Sequence, residues 1–216
     1  METIAFIFNN LGVIAGLAVE HISIVSVAVG LAILTGVPIG IAITQNRAVA
    51  DMVLYVASII VTIPSIALFG LMIPILSTIG QGIGWLPAVF AILLYSQLPI
   101  IRNTYTAITN VDPALRESAR GMGMTAGQRL RQVEIPIAVP VIMAGVRTAV
   151  VMNIGVAAIA AYIGAGGLGV LISRGISQSD SRQLIAGALA VSLLAIVADY
   201  VLLYIQKRLT PAGLRR

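Results

Sequence analysis

The sequence predicts an all-α integral membrane protein with about five transmembrane helices, and three observations carry that prediction. Hydrophobic residues make up 59% of the 216 and charged residues only 10%, more apolar surface than a water-soluble chain can hide. The apolar residues gather into five stretches of roughly 20, the length that crosses a bilayer as a helix. Between the third and fourth stretches lies the one strongly polar segment, Asp112–Pro136 (DPALRESARGMGMTAGQRLRQVEIP).

In chain order, Thr3–Val19 is apolar but interrupted by Asn9-Asn10 and short for a crossing, so it is expected to lie as a helix at the outer surface. The first span is expected over 22–44, with His21 an interfacial residue at its edge. A short loop with Arg47 leads to the second span, 52–76, interrupted by Pro64 and Pro74. Proline removes a helix hydrogen bond and kinks the rod, which serves either packing or a transport pathway. The third span is expected over 83–101, with Pro87 and Pro99, the fourth over 137–160 and the fifth over 184–205. Residues 1–21 thus form an outer segment, 22–206 one transmembrane domain and 207–216 a basic tail.

Basic residues set the orientation. If the central segment is cytoplasmic, that side collects Arg47, Arg102, Arg116, Arg120, Arg129, Arg131, Lys207, Arg208, Arg215 and Arg216. The other side holds only Arg174 and Arg182, so the positive-inside rule puts the N-terminus outside and the C-terminus in the cytoplasm. The net charge of +5 reflects this bias and not nucleic-acid binding.

The central segment predicts its own shape. Asp112-Pro113 is an N-cap carboxylate followed by proline at the first helical position, so a short helix is expected over 113–120. Gly121 and Gly123 are expected to stop it. Thr125-Ala126-Gly127-Gln128 has the spacing of a capping box for a second helix. Glu117-Ser118-Ala119, three residues, Gly123, nine residues, then Val133-Glu134-Ile135-Pro136 resembles the EAA loop of the membrane subunits of ATP-binding cassette (ABC) importers. Ser118, Val133 and Ile135 depart from that pattern but keep its size or polarity class.

The resemblance extends over about 21–205. Leu94–Tyr105, Val111–Leu115 and Pro136–Thr148 are similar to the permeases that import quaternary amines such as glycine betaine, carnitine and choline. The run Ile163–Gly169 also resembles methionine-importer permeases. The resemblance implies a type I ABC importer permease fold and a second permease subunit, identical or related. It further implies an ABC ATPase subunit below and an extracytoplasmic solute-binding protein. That protein is expected on a separate chain, with ATP and Mg on the ATPase and no cofactor here. Arg116, Glu117, Ser118, Ala119, Arg120 and Gly123 then belong to the ATPase-coupling loop. The mechanism implied is alternating access.

Composition excludes the main rivals. Cysteine is absent and His21 is the one histidine, so no metal centre or thiol chemistry is expected. There is no G-x-x-x-x-G-K-[ST] run to hold a nucleotide, and nothing at the Met-Glu start suggests a cleaved signal peptide. A membrane enzyme lacks its constellation. An ATPase-independent channel or an amino-acid permease remains the alternative.

Inside the spans, polar residues are expensive and therefore informative. Ser65, Ser96, Gln97 and Asn153 are candidates for lining a pathway, along with Thr62; each serves equally as glue between helices. Tyr55 and Tyr95 are weaker candidates for facing a cationic solute. Arg147 lies 11 residues beyond Pro136 and Asp199 8 before Lys207, about 16 and 12 Å deep from the same side at 1.5 Å per residue. They are candidates for a buried ion pair with a structural role, or each faces a cavity alone. The glycines of 164–169 lie outside and lack a lysine, which suits close backbone packing or an outer gate. Arg174, Asp180 and Arg182 on that side are candidates for contact with the binding protein, against solvated turn charges.

Overall fold

The computed structural model describes residues 2–211; Arg215 and Arg216 of the expected basic tail lie outside them. Four helical stretches there, Leu11–Gln45, Trp85–Thr109, Ala126–Ile163 and Ser181–Leu209, are long and apolar enough to cross a membrane. A bent pair, α3 (Arg47–Thr62) and α4 (Ser65–Ser77), supplies the fifth crossing if counted as one span.

The first span departs from expectation. A short α1 (Glu2–Asn9) is followed after one residue by α2 (Leu11–Ala42), which runs unbroken through His21. Asn9-Asn10 interrupts the helix for a single residue, where Asn10 donates its side-chain amide to the Phe6 carbonyl at 2.8 Å. At 32 residues, α2 is about 48 Å long and exceeds the hydrocarbon core of about 30 Å. Thr3–Val19 is therefore not one surface helix. Its first part lies against the last helix and its second part extends the first span.

The second span is broken more sharply than a kink. α3 and α4 meet at 101°, because Ile63 before Pro64 is extended (φ −68°, ψ 127°), as a pre-proline residue prefers. The break exposes the Ile63 carbonyl, and the Tyr95 hydroxyl donates to it. Tyr95, 5% exposed, thereby holds the break against α5.

Helix α5 (Trp85–Thr109) is the centre of the molecule. It is flanked by α2, by α3 and α4, and by α8 (Ile135–Ile159). α9 (Gly169–Ser177) and α10 (Ser181–Leu209) close the other side of α8, and α1 lies along α10. Ile24, Ala28, Phe69, Ile92, Ile100 and Ala149 fill the main core. Apolar side chains on the outer face of α10, such as Leu193 and Tyr200, stay exposed, as a lipid-facing surface requires.

Lipid offers no hydrophobic drive between helices, so close packing must hold them. Gly36 and Gly40 of α2 and Gly145 of α8 bring both helices onto α5. A Cβ at Gly40 would stand 2.6 Å from the Thr104 Cβ, and one at Gly145 would stand 2.6 Å from the Asn103 Cβ and 2.7 Å from the Pro99 carbonyl oxygen. Around Gly155, on the same helix, the space is open. Gly145→Ala is therefore expected to cost about 1–3 kcal/mol, seen as a lower Tm in detergent. Gly155→Ala should hold or raise Tm, since alanine favours helix by up to about 1 kcal/mol.

Candidate functional site

The polar segment folds as three linked pieces, each made by its local sequence. Asp112 accepts from the Ala114 amide at 2.9 Å and starts α6 (Pro113–Gly121). The helix ends in a Schellman motif: the Met124 amide donates to the Ala119 carbonyl at 3.1 Å and the Gly123 amide to the Arg120 carbonyl at 2.9 Å. Gly123 takes φ +78°, a conformation that costs a side chain dearly. Gly121 lies within α6, so Gly123 alone makes the stop. The capping box then forms, with the Thr125 amide on Gln128 Oε1 at 2.9 Å and the Gln128 amide on Thr125 Oγ1 at 3.3 Å, and opens α7 (Ala126–Arg129).

No break separates α7 from the fourth span. A π-helical turn over Leu130–Glu134 joins it directly to α8. An ordinary α-turn here would set the Pro136 ring against the Gln132 carbonyl, and a wider turn relieves that clash. The loop and the span are one rod.

Glu134, in that turn, is 6% exposed. It accepts from Arg129 Nε at 2.8 Å and pairs with Arg116 Nε at 3.4 Å. Arg116 also donates to the Ile108 carbonyl at the end of α5. Glu134 thus ties α6 and α7 to the foot of α8, and Arg116 ties α6 to α5. Arg116 is drawn inward and Ala119 is 1% exposed, while Glu117, Ser118 and Arg120 remain outside. Leu115 and Met122 stand beside them, 44% and 70% exposed. Sequence reading missed Glu134; its only signal was a carboxylate amid arginines.

The intramembrane polar residues separate by role. The Asn153 side-chain amide donates to Ser96 Oγ at 2.8 Å with both residues fully buried, so they join α8 to α5. Gln97 donates to Thr35 Oγ1 at 2.9 Å and joins α5 to α2. Within this chain these three hold helices together. Ser65 is half-buried at the start of α4, and Thr62 bonds its own helix at the Ile59 carbonyl. Arg147 and Asp199 meet: Nε and Nη2 of Arg147 donate to Asp199 Oδ1 at 3.0 and 2.8 Å, and Nη2 also to Oδ2 at 2.9 Å. Arg147 Nη1 donates to Gln206 Oε1 at 3.2 Å.

At the other end, His21 is fully buried between helices. Its Nε2 donates to the Ile154 carbonyl at 3.0 Å, which fixes the proton on that nitrogen. Neighbouring Glu20 accepts from the Gly167 amide at 2.9 Å. Glu20 thus pins the glycine-rich turn, where Gly164, Gly166 and Gly167 all have positive φ, and His21 ties α2 to α8. Of the charges at this end, Asp180 caps α10 through the Arg182 amide and pairs with the Arg182 guanidinium, both at 3.0 Å. Arg174 is exposed in the last turn of α9.

Residues 28–211 match the family described as the binding-protein-dependent transport system inner membrane component. The chain belongs to that family. This permease is 60% identical over 215 residues to the osmoprotectant import permease protein OsmW of Salmonella typhimurium, with all of both chains covered. It is 43% identical over 213 residues to the choline transport system permease protein OpuBB of Bacillus subtilis, covering 99% of this chain and 96% of that one. Among solved structures, the inward-facing MetNI methionine ABC transporter superposes with a TM-score of 0.82 at 23% identity, covering 93% of this chain and 98% of that chain. That likeness is one of fold: the all-helical type I importer permease.

Two tests follow from the charges. Glu134→Gln leaves two guanidinium groups facing each other, and losing one partner of such a cluster costs about 3 kcal/mol. Amide hydrogen exchange in α6 should then speed up about 100-fold, while Glu117→Gln leaves it unchanged. The Arg182 hydrogen bond lowers the Asp180 carboxyl from 3.8 to about 2. A depressed carboxylate stabilises the fold above its unfolded value and loses that contribution as pH falls through its folded one, so the α10 cap persists at pH 5 and is lost near pH 2. A carbon-13 titration of Asp180 should show that low midpoint, and Arg182→Gln should raise it.

Proposed function

We propose that this permease carries a quaternary-amine osmoprotectant of the glycine betaine, carnitine or choline type inward through an ATP-driven importer. The observation that carries the reading is the full-length identity to OsmW, supported by the identity to the choline permease. In this reading the ATPase, which holds ATP and Mg, docks on α6. Glu117 and Arg120 supply charge register there, and Leu115 and Met122 supply apolar grip. The ten-to-two asymmetry of basic residues supports a cytoplasmic loop and C-terminus with the N-terminus outside. A separate binding protein delivers solute to the outer face near Arg174, and a second permease subunit completes the pathway.

The rigid join between α6, α7 and α8 is what alternating access needs. A push on a loose loop would be absorbed by the loop, whereas a push on α6 reaches α8 through Glu134 and the π turn, and α5 through Arg116. This chain contributes no bond chemistry to the step.

The test is ATP-driven uptake of labelled glycine betaine, choline and methionine into vesicles holding the permease with its neighbouring ATPase and binding protein. The reading expects uptake of at least one quaternary amine, with Glu117→Ala and Gly123→Ala each lowering it about tenfold or more. Uptake of methionine alone would overturn the substrate class. Uptake persisting without ATP would overturn the importer.

A further inference from the structure

The Arg147–Asp199 pair is left open in a way that a helix lock does not require. An ion pair that only ties α8 to α10 is best packed over, since water or mobile neighbours weaken it. Here the Asp199 side chain keeps 39% of its exposure and Arg147 25%. Both lie in an open groove whose other walls are Ala144, Thr148, Val151 and Met152. Arg147 is the central residue of α8 (Ile135–Ile159), and transporter sites are commonly near the bilayer midplane. Ionisable residues at that depth are costly enough to suggest a role beyond packing.

We propose that Arg147 and Asp199 form a solute way-station that takes a zwitterion by exchange of ion pairs. This rests on the quaternary-amine reading above. The carboxylate of the solute replaces Asp199 on the Arg147 fork while its quaternary ammonium group takes the place of Arg147 beside Asp199. For a zwitterion no charge is left unpaired: one internal pair becomes two pairs with the solute. In the empty state the site neutralises itself, which avoids the penalty of a bare charge in the membrane. The internal pair competes with the solute and keeps binding weak, as a pathway site needs if solute is to leave. Gln206 holds Arg147 Nη1 at 3.2 Å and itself donates to the Pro140 carbonyl at 2.9 Å. The fork therefore stays aimed while Asp199 swings aside. A cation without a carboxylate, such as choline, engages Asp199 alone.

The experiment measures kcat/KM for ATP-driven uptake of glycine betaine and choline by the assembled transporter. It compares wild type, Arg147→Lys and the charge swap Arg147→Asp with Asp199→Arg. Lysine keeps the charge but loses the fork, so glycine betaine should fall about tenfold more than choline. The swap should accumulate in the membrane with wild-type Tm yet lose most uptake of both solutes, because the charges face the solute in reverse order along α8 and α10. A swap that assembles and transports both solutes at wild-type rates overturns the way-station and leaves a lock. Equal loss of both solutes in Arg147→Lys also overturns it, and this ratio decides alone if the swap does not assemble. Wild type that takes up neither solute overturns the quaternary-amine reading itself, a result distinct from either of these.

Discussion

The close approach of α2 and α8 to α5 is the constraint on which the rest depends. At Gly40 and Gly145 a single added carbon would lie 2.6 Å from a neighbouring side-chain atom, so these helices touch almost backbone to backbone. With lipid as solvent, such contact replaces the hydrophobic drive that would hold them in water. The Ser96–Asn153 and Gln97–Thr35 hydrogen bonds sit at the same seams and fix their register. The three helices form one stiff slab, to which α3 and α4 attach through Tyr95 and α10 through Arg147.

That slab continues into the polar segment. α8 is fused to α7 by the π turn, and Glu134 fastens α6 to the same corner with two arginines. The parts of α6 left outside are Glu117, Arg120, Leu115 and Met122, a small exposed surface on a rigid base. On the opposite side, Glu20 holds the glycine turn and His21 ties α2 to α8. Both ends of the molecule are tied to the slab by buried or half-buried polar contacts, and the middle carries an open charge pair.

Composition and local chemistry made the class, the crossings and the caps of α6 and α7 readable, because Asp112, Thr125 and Gln128 act on neighbours within three residues. Contacts made across the fold were not readable. Glu134 reaches Arg116 only after the chain reverses at Gly123, and Glu20 meets Gly167 across 147 residues. A polar residue in an apolar run signals cost without saying whether a pathway or another helix repays it, so Ser96, Gln97 and Asn153 were ambiguous until their partners were in view. Arg147 and Asp199 were the partial exception. Similar depth and opposite sign on two long helices made their pairing one of two readings, and the contact itself decides between them.

The central claim is that α6, α7 and α8 move as one body. Cysteine is absent from the chain, so spin labels can be placed at Ala114 and Val141 without removing native thiols. In the assembled transporter, the Ala114–Val141 distance should change by no more than about 1–2 Å between ATP-free and ATP-bound states, while distances between the two permease subunits change by more. A shift within the subunit as large as that between subunits would contradict the rigid join and the coupling account built on it.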